Sequence, residues 1–214
     1  MADSLIVGNF LGDAALAAVT STGSLMFLLV GFFSGTAMGA GVVISRYFGA
    51  RDYEKVRIAI HTNLAFGILC GIAMSIIGVL FTPQILQWMG TPVAVLPQSI
   101  EYFRYYFCGA IFTVMYNIFV GILHAVGDSR HPLYYLILSS VINVVLDLLF
   151  VAVFHWGVAG AAIATVISQG LSAVLCIIQM SRLQDETARL CLKKIKFHKK
   201  IMGEVIRQGL PTGI

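Results

Sequence analysis

Charge is the scarcest property of this sequence. Only 11% of its 214 residues are charged, whereas 58% are hydrophobic and the mean hydropathy is +0.89. A soluble globular domain contains about 25% charged residues. Several apolar runs also reach the roughly 20 residues that a helix needs to cross a bilayer. The composition therefore excludes an ordinary soluble domain and predicts an all-α polytopic membrane protein.

Cysteine is also sparse, and its placement argues against a metal site or a disulfide framework. No two of the cysteines form a CxxC pair, and three lie inside apolar runs, where buried apolar side chains are expected. The net charge of +4 and pI of 8.9 come from basic residues at helix ends and in one linker. That distribution is typical of cytoplasmic loops and predicts no nucleic-acid partner. The cysteines are Cys70, Cys108, Cys176 and Cys191.

Neither end of the chain has the features of a complete membrane protein. The start lacks a basic region, and its first apolar run, Leu5 to Leu11, is too short to span a bilayer. The last eight residues, from Arg207 to Ile214, open another apolar segment. We therefore expect a fragment of a longer protein with a truncated first helix.

Apolar runs and turn residues divide the chain into six predicted helices and a linker. Gly12-Asp13, Thr82-Pro83 and Gly127 mark predicted helix ends. The basic stretch 182–203 is expected to lie on anionic lipid as a cytoplasmic linker, with a solvated connector as the alternative. A seventh helix is expected to start within 204–214. The six helices are predicted at about 1–11, 14–48, 55–81, 93–126, 130–154 and 158–181, forming one transmembrane unit over 1–181.

Small residues and aromatics predict how these helices pack and where they meet the membrane surface. Glycines recur every four residues at Gly31, Gly35 and Gly39, and again at Gly67 and Gly71. This spacing lets neighbouring helices approach closely and indicates packing rather than chemistry. The aromatic residues within 102–107 are interpreted as an interfacial cluster.

The charge distribution predicts the orientation. With these helices, all fourteen Lys and Arg residues except Arg104 fall on one side of the membrane. The positive-inside rule makes that side cytoplasmic. We therefore expect a multi-pass protein of the plasma membrane, with the linker 182–203 in the cytoplasm.

The strongest candidates for functional residues are two polar side chains inside the fifth apolar helix. Asn143 and Asp147 are four residues apart, so a helix places both on one face. An Asp at mid-membrane costs roughly 2.5–3.5 kcal/mol. At 1.5 Å per residue, Asp147 lies about 10 Å from the outer end of its helix, and Asp3 and Thr165 lie about 12 Å from the ends of theirs. Asn143 lies one turn deeper, so the four side chains are predicted to share one region.

Two carboxylates, an amide and a hydroxyl form an all-oxygen set. Such a set suits a hard monovalent cation, or a proton held between two acids whose closeness raises at least one pKa. The alternative is that Asp147 and Asn143 only hydrogen-bond neighbouring helices, which contributes about 0.6 kcal/mol per bond. An intramembrane aspartyl protease is not favoured, because the residues before Asp147 are Val145 and Leu146 instead of the Gly-x-Gly pair of that family. No ring-like filter of a channel is visible, so we expect no enzyme and no channel.

At these residues the chain resembles the multidrug and toxic compound extrusion (MATE) family of secondary transporters. The likeness covers nearly the whole sequence, and it rests on an ordered set of motifs rather than on any single one. The motifs are Ala2-Asp3-Ser4-Leu5-Ile6-Val7-Gly8, Leu16-Ala-Ala-Val19, Gly121-Ile-Leu-His-Ala-Val-Gly127-Asp128, Asn143-x-x-x-Asp147 and Gly157-Val-Ala-Gly-Ala-Ala-Ile-Ala-Thr165.

The resemblance implies a fold of two six-helix lobes, of which this chain would be the amino-terminal one. The missing carboxy-terminal lobe would then be its partner. The resemblance also implies that Asp3, Asn143, Asp147 and Thr165 form the cation site of this lobe, with the Ala161 carbonyl as a further candidate ligand.

The expected function is antiport of an organic, often cationic, drug against Na⁺ or H⁺, with no other cofactor. Two alternatives stay open. One is a flippase for lipid-linked saccharides from the same superfamily, which would line its cavity with Arg and Lys. The other is a non-transporting membrane scaffold, in which the buried acids would be replaceable.

Overall fold

A computed structural model describes residues 2–20, 23–182 and 198–209, and this part of the chain is helical and contains no β-strand. A π-helix, Leu148–Val153, follows α7 directly. The α-helices are α1 (Ala2–Leu11), α2 (Asp13–Thr20), α3 (Gly23–Gly49), α4 (Tyr53–Trp88), α5 (Leu96–Cys108), α6 (Ala110–Ala125), α7 (Arg130–Asp147), α8 (Gly157–Arg182) and α9 (Lys199–Gly209).

Two apolar clusters hold these helices together, and α8 contributes to both. The first joins α3, α4, α6, α8 and α9 around fully buried side chains such as Ile44, Phe119 and Met180. The second joins α1, α2, α5 and α8 with the end of α4 and the π-helix, and it includes Val7 and Phe103. The candidate acids on α1 and α7 therefore lie beside the second cluster.

The outer surface is apolar, as expected for a protein that faces lipid. On α7, one face exposes large hydrophobic side chains while Ser139 and Asp147 are buried on the other. This is the reverse of a water-soluble helix. Three helices are long and apolar enough to cross a membrane, and the bent pair α5–α6 would make a fourth; this test covers the described residues only. The exposed large hydrophobic residues of α7 are Leu133, Tyr134, Leu136, Ile137, Leu138, Val141 and Val145.

The predicted helix end at Thr82-Pro83 is wrong, because α4 continues through Pro83 to Trp88. A proline inside a helix removes one hydrogen bond and normally costs about 3 kcal/mol. Here the turns beyond Pro83 bury Leu86 completely in the second cluster. The hydroxyl of Thr82, the residue before the proline, donates to the Gly78 carbonyl one turn earlier. Tertiary packing thus extends the helix past its local stop signal.

The predicted helix 93–126 is also wrong as a single element. It is two helices, α5 and α6, bent by 49° at Gly109. A Cβ at Gly109 would collide with the Val166 side chain of α8. The bend therefore occurs where a neighbouring helix approaches the backbone, a contact that the sequence around Gly109 does not reveal.

Smaller differences concern three other predicted elements. The predicted helix 14–48 corresponds to α2 and α3, and residues 21–22 between them lie outside the described part. The predicted helix 130–154 is α-helical only to Asp147 and π-helical beyond it. The seventh helix begins at Lys199, inside the predicted linker 182–203, because Ile201, Met202 and Val205 are buried against the first cluster. Most of that linker, 183–197, lies outside the described residues.

The glycine spacing predicted close helix packing, and this holds for α4. A Cβ on Gly71 would lie 2.9 Å from the Ile111 Cα of α6. Gly31 behaves differently, since no described atom lies within 4 Å of the position its Cβ would take. The α4–α6 contact is thus set by a glycine, whereas Gly31 has no such role among the described residues.

Candidate cation site

Asp147 is an acidic side chain with no exposure to solvent, which is unusual. It is the last residue of α7, and it is 0% exposed. No donor among the described residues reaches either of its carboxyl oxygens, and the group within hydrogen-bonding reach is the carboxyl of Asp3, which can donate only when it carries a proton. A buried ionised carboxylate without a partner is very costly. This side chain therefore needs either a proton or a cation to complete it.

Thr165 on α8 connects the remaining predicted residues. Its hydroxyl lies 2.9 Å from Asp3 Oδ2 and 3.0 Å from the Ala161 carbonyl oxygen. The Asn143 Nδ2 donates to the same hydroxyl at 3.4 Å. The hydroxyl thus links α1, α7 and α8 at one point.

Asp3 lies on α1, which packs against α7, the π-helix and α8. Its carboxyl is half-buried and close enough to Asp147 for the two acids to interact electrostatically. The structure therefore brings all four predicted side chains and the Ala161 carbonyl into one cluster. Their role as ion ligands stays a prediction.

The hydroxyl of Thr165 has only one proton, and this makes the cluster sensitive to the state of Asp3. When Asp3 is ionised, Thr165 donates to it. When Asp3 is protonated, Asp3 can donate instead, and Thr165 then donates to the Ala161 carbonyl. In both arrangements one hydrogen bond between Asp3 and Thr165 joins α1 to α8, and only its direction differs.

The donor atoms also suit an alkali cation. Carboxylate, hydroxyl and carbonyl oxygens are hard ligands. The buried Asp147 oxygens have no donor among the described residues and lie close to the Asp3 carboxyl, so the two acids together offer oxygens to a cation. Within the described ranges, no group of three or more His, Cys, Asp or Glu residues favours a transition metal.

Two nearby residues were missed by the sequence analysis. Tyr102, which was interpreted as interfacial, is only 5% exposed and interacts electrostatically with Asp3 and Asp147. Tyr102 is three residues after Ser99 and next to Phe103, and both of these are buried, so the helical spacing could have predicted that Tyr102 is buried as well. Gln169, one turn beyond Thr165 on α8, has a buried Oε1 without a described hydrogen-bond partner. The spacing of four from Thr165 would have identified it.

The described residues form an apolar helical membrane domain in which acids, an amide and a hydroxyl are brought together between the helices. The sequence model of the MatE family matches residues 1–149. This match covers more than half of the chain, so the chain belongs to the MatE family. The resemblance inferred from the motifs is thereby confirmed.

Individual relatives agree with this assignment. The chain is 34% identical to a probable multidrug resistance protein of Bacillus subtilis, over 98% of this chain and 47% of that protein. It is 27% identical to a multidrug export protein of Staphylococcus saprophyticus, over 95% of this chain and 45% of that protein. The inward-facing structure of a multidrug resistance MATE transporter matches with a TM-score of 0.92 at 27% identity, over 99% of this chain and 48% of that one. The chain thus spans about half the length of the curated relatives it matches.

Proposed function

We propose that the transporter to which this lobe belongs exports organic, often cationic, compounds across the plasma membrane in exchange for Na⁺ or H⁺. The observation that carries the proposal is the fully buried Asp147, whose oxygens have no donor among the described residues and lie beside the Asp3–Thr165–Asn143 cluster. The names of the relatives, a multidrug resistance protein and a multidrug export protein, support drugs as the substrate and export as the direction of transport. The second lobe, a small organic substrate and membrane lipid are the partners of this function.

Coupling requires that the ion bind two conformations with different affinities. The α1 helix is the element that the ion would bias, because Asp3 connects it to α8 through Thr165. Ion or proton binding at Asp3 and Asp147 would change that connection. The substrate would then be released outward from the conformation that the ion favours.

The test is ethidium accumulation in cells expressing the full-length transporter that contains this lobe. Asp147→Asn removes the charge but keeps the side-chain size, and we expect it to abolish efflux while the protein stays in the membrane. Asp13→Asn is the matched control, because Asp13 is an exposed acid at the start of α2, away from the cluster. It should retain wild-type efflux.

The ion is identified in the same cells by imposing a Na⁺ or a pH gradient separately. Efflux that follows only one gradient assigns the coupling ion. Normal efflux by Asp147→Asn would refute the proposal. Absence of efflux by the wild type, with a membrane-inserted protein, would favour a lipid-linked saccharide flippase or a scaffold instead.

A further inference from the structure

A cavity lined by polar side chains lies between the end of α3 and α9, and it shares no residue with the acid cluster. Its volume is about 200 Å³. Its walls combine two arginines with apolar and polar side chains from both helices. The lining residues are Val42, Val43, Arg46, Glu204, Arg207 and Gln208.

Neither arginine side chain has an ionic partner among the residues that the structure describes. Arg46 is exposed in the last turn of α3, and Arg207 is exposed in the last turn of α9. Neither forms an ion pair or hydrogen bond with a described residue. A favourable interaction with a helix dipole explains either arginine alone. It does not explain why two such cations line one cavity.

The single acid in the cavity wall does not neutralise them. The Tyr47 hydroxyl donates to Glu204 Oε2 at 2.8 Å, which fixes that carboxylate toward the body of α3. No ion pair joins Glu204 to either arginine among the described side chains. Among the described lining residues, the cavity therefore has two positive charges and one negative charge.

The cavity lies between an exposed apolar side chain and a helix held by buried contacts. Val42 is 50% exposed one turn before Arg46, so an apolar wall adjoins the two cations. The helix α9 is anchored beneath it by the buried Met202 and Val205.

We propose that this cavity binds a phosphate group, held between Arg46 and Arg207, so that the ligand bridges α3 and α9. Guanidinium groups bind phosphate oxygens with paired, charge-assisted hydrogen bonds. The phosphate can belong to an anionic lipid headgroup or to a soluble phosphate. This site is independent of the acid cluster and of the proposed transport reaction.

The test compares phosphatidylglycerol, phosphatidylcholine and inorganic phosphate as probes of the purified full-length transporter. We expect phosphatidylglycerol or inorganic phosphate to bind, and Arg46→Gln or Arg207→Gln to weaken that binding on the order of tenfold. Arg57→Gln is the matched control, because Arg57 is an exposed arginine on α4 that does not line the cavity. Its affinity should equal that of the wild type.

Hydrogen exchange supplies a second measurement that does not depend on a charge variant folding well. A ligand that bridges the two helices should protect the amides of Lys199–Gly209, and Arg207→Gln should remove this protection. Binding of phosphatidylglycerol alone assigns a lipid, and equal arginine dependence with inorganic phosphate assigns a soluble ligand. The proposal would be overturned if Arg57→Gln lost as much affinity for the probes as the cavity variants, or if no probe bound at all.

Discussion

At the scale of single residues, the acid cluster contains a fully buried carboxyl group, that of Asp147, and a hydroxyl, that of Thr165, which contacts several of the other residues. Asp147 has lost all contact with solvent, and its oxygens have no donor among the described residues. Thr165 meanwhile contacts Asp3, Asn143 and the Ala161 carbonyl. A purely structural polar group would be expected to satisfy its own oxygens first. The arrangement favours a site that is completed by an ion or a proton.

The hydroxyl of Thr165 can be tested by its removal. Thr165→Val keeps the shape but deletes the hydrogen bonds to Asp3 and Asn143. We expect the Na⁺ or H⁺ concentration for half-maximal efflux to rise on the order of tenfold, since a hydrogen bond to a charged group is lost. Thr165→Ser keeps the hydroxyl and should stay close to the wild type. An unchanged ion dependence in Thr165→Val would show that the hydroxyl has no part in the site.

Much of this site could be predicted from residue types and spacing. Acids are so rare in apolar helices that Asp3 and Asp147 were recognisable, and the spacing of four placed Asn143 with them. Tyr102 was not recognised, because an aromatic residue near a helix end is equally expected at the membrane interface. Only the packing of α5 against the second apolar cluster shows that Tyr102 points inward.

At the scale of helices, close backbone approaches determine where elements meet. The contact between α3 and α6 depends on Gly121, whose Cβ would lie 2.5 Å from the Ala37 carbonyl oxygen. A backbone atom cannot rotate away as a side chain can. The helices would have to separate to accommodate any larger residue at this position.

Gly121→Ala should therefore destabilise the lobe by about 1–3 kcal/mol, as overpacking does in other cores. The control is Gly31→Ala, where no described atom lies within 4 Å of the added Cβ. That change should be neutral or stabilising by up to about 1 kcal/mol, because alanine favours helix. Unfolding in mixed detergent micelles measures both variants. Equal stabilities would contradict the proposed close contact.

The wrong helix boundaries share a physical cause. Local signals correctly identified Gly127, which has a φ of +88° and so needs glycine. They failed at Pro83 and Gly109, where long-range contacts outweigh local preference. Burial of Leu86 stabilises the helix beyond the proline. Val166 occupies the space that a side chain on Gly109 would need.

At the scale of the whole molecule, the orientation in the membrane is the property with the widest consequences. The described basic residues other than Arg104 lie in loops or near the α-helix ends expected on one side. The positive-inside rule then predicts that the loop after α6 is cytoplasmic and that the loop after α4 faces outward.

Cysteine labelling in intact cells tests this orientation. In a cysteine-free background, Val93→Cys should react with a membrane-impermeant maleimide, since Val93 is 85% exposed in the predicted outer loop. Ser129→Cys, exposed in the loop before α7, should react only after the cells are permeabilised. The reverse pattern would invert the orientation and move the phosphate cavity to the outer surface.

Residue types and their order along the chain were enough to predict a helical membrane protein of the MATE type with acids on its first and fifth predicted helices. Those conclusions follow from composition, from the rarity of charge in apolar segments and from motif order, which are all properties of the chain alone. The packing of the helices was needed to show that Thr165 joins Asp3 to Asn143, that Tyr102 is buried near the acids, and that Arg46 and Arg207 line one cavity. Each of these is a contact between residues far apart in the chain, and such contacts depend on how bent and closely packed helices bring their faces together.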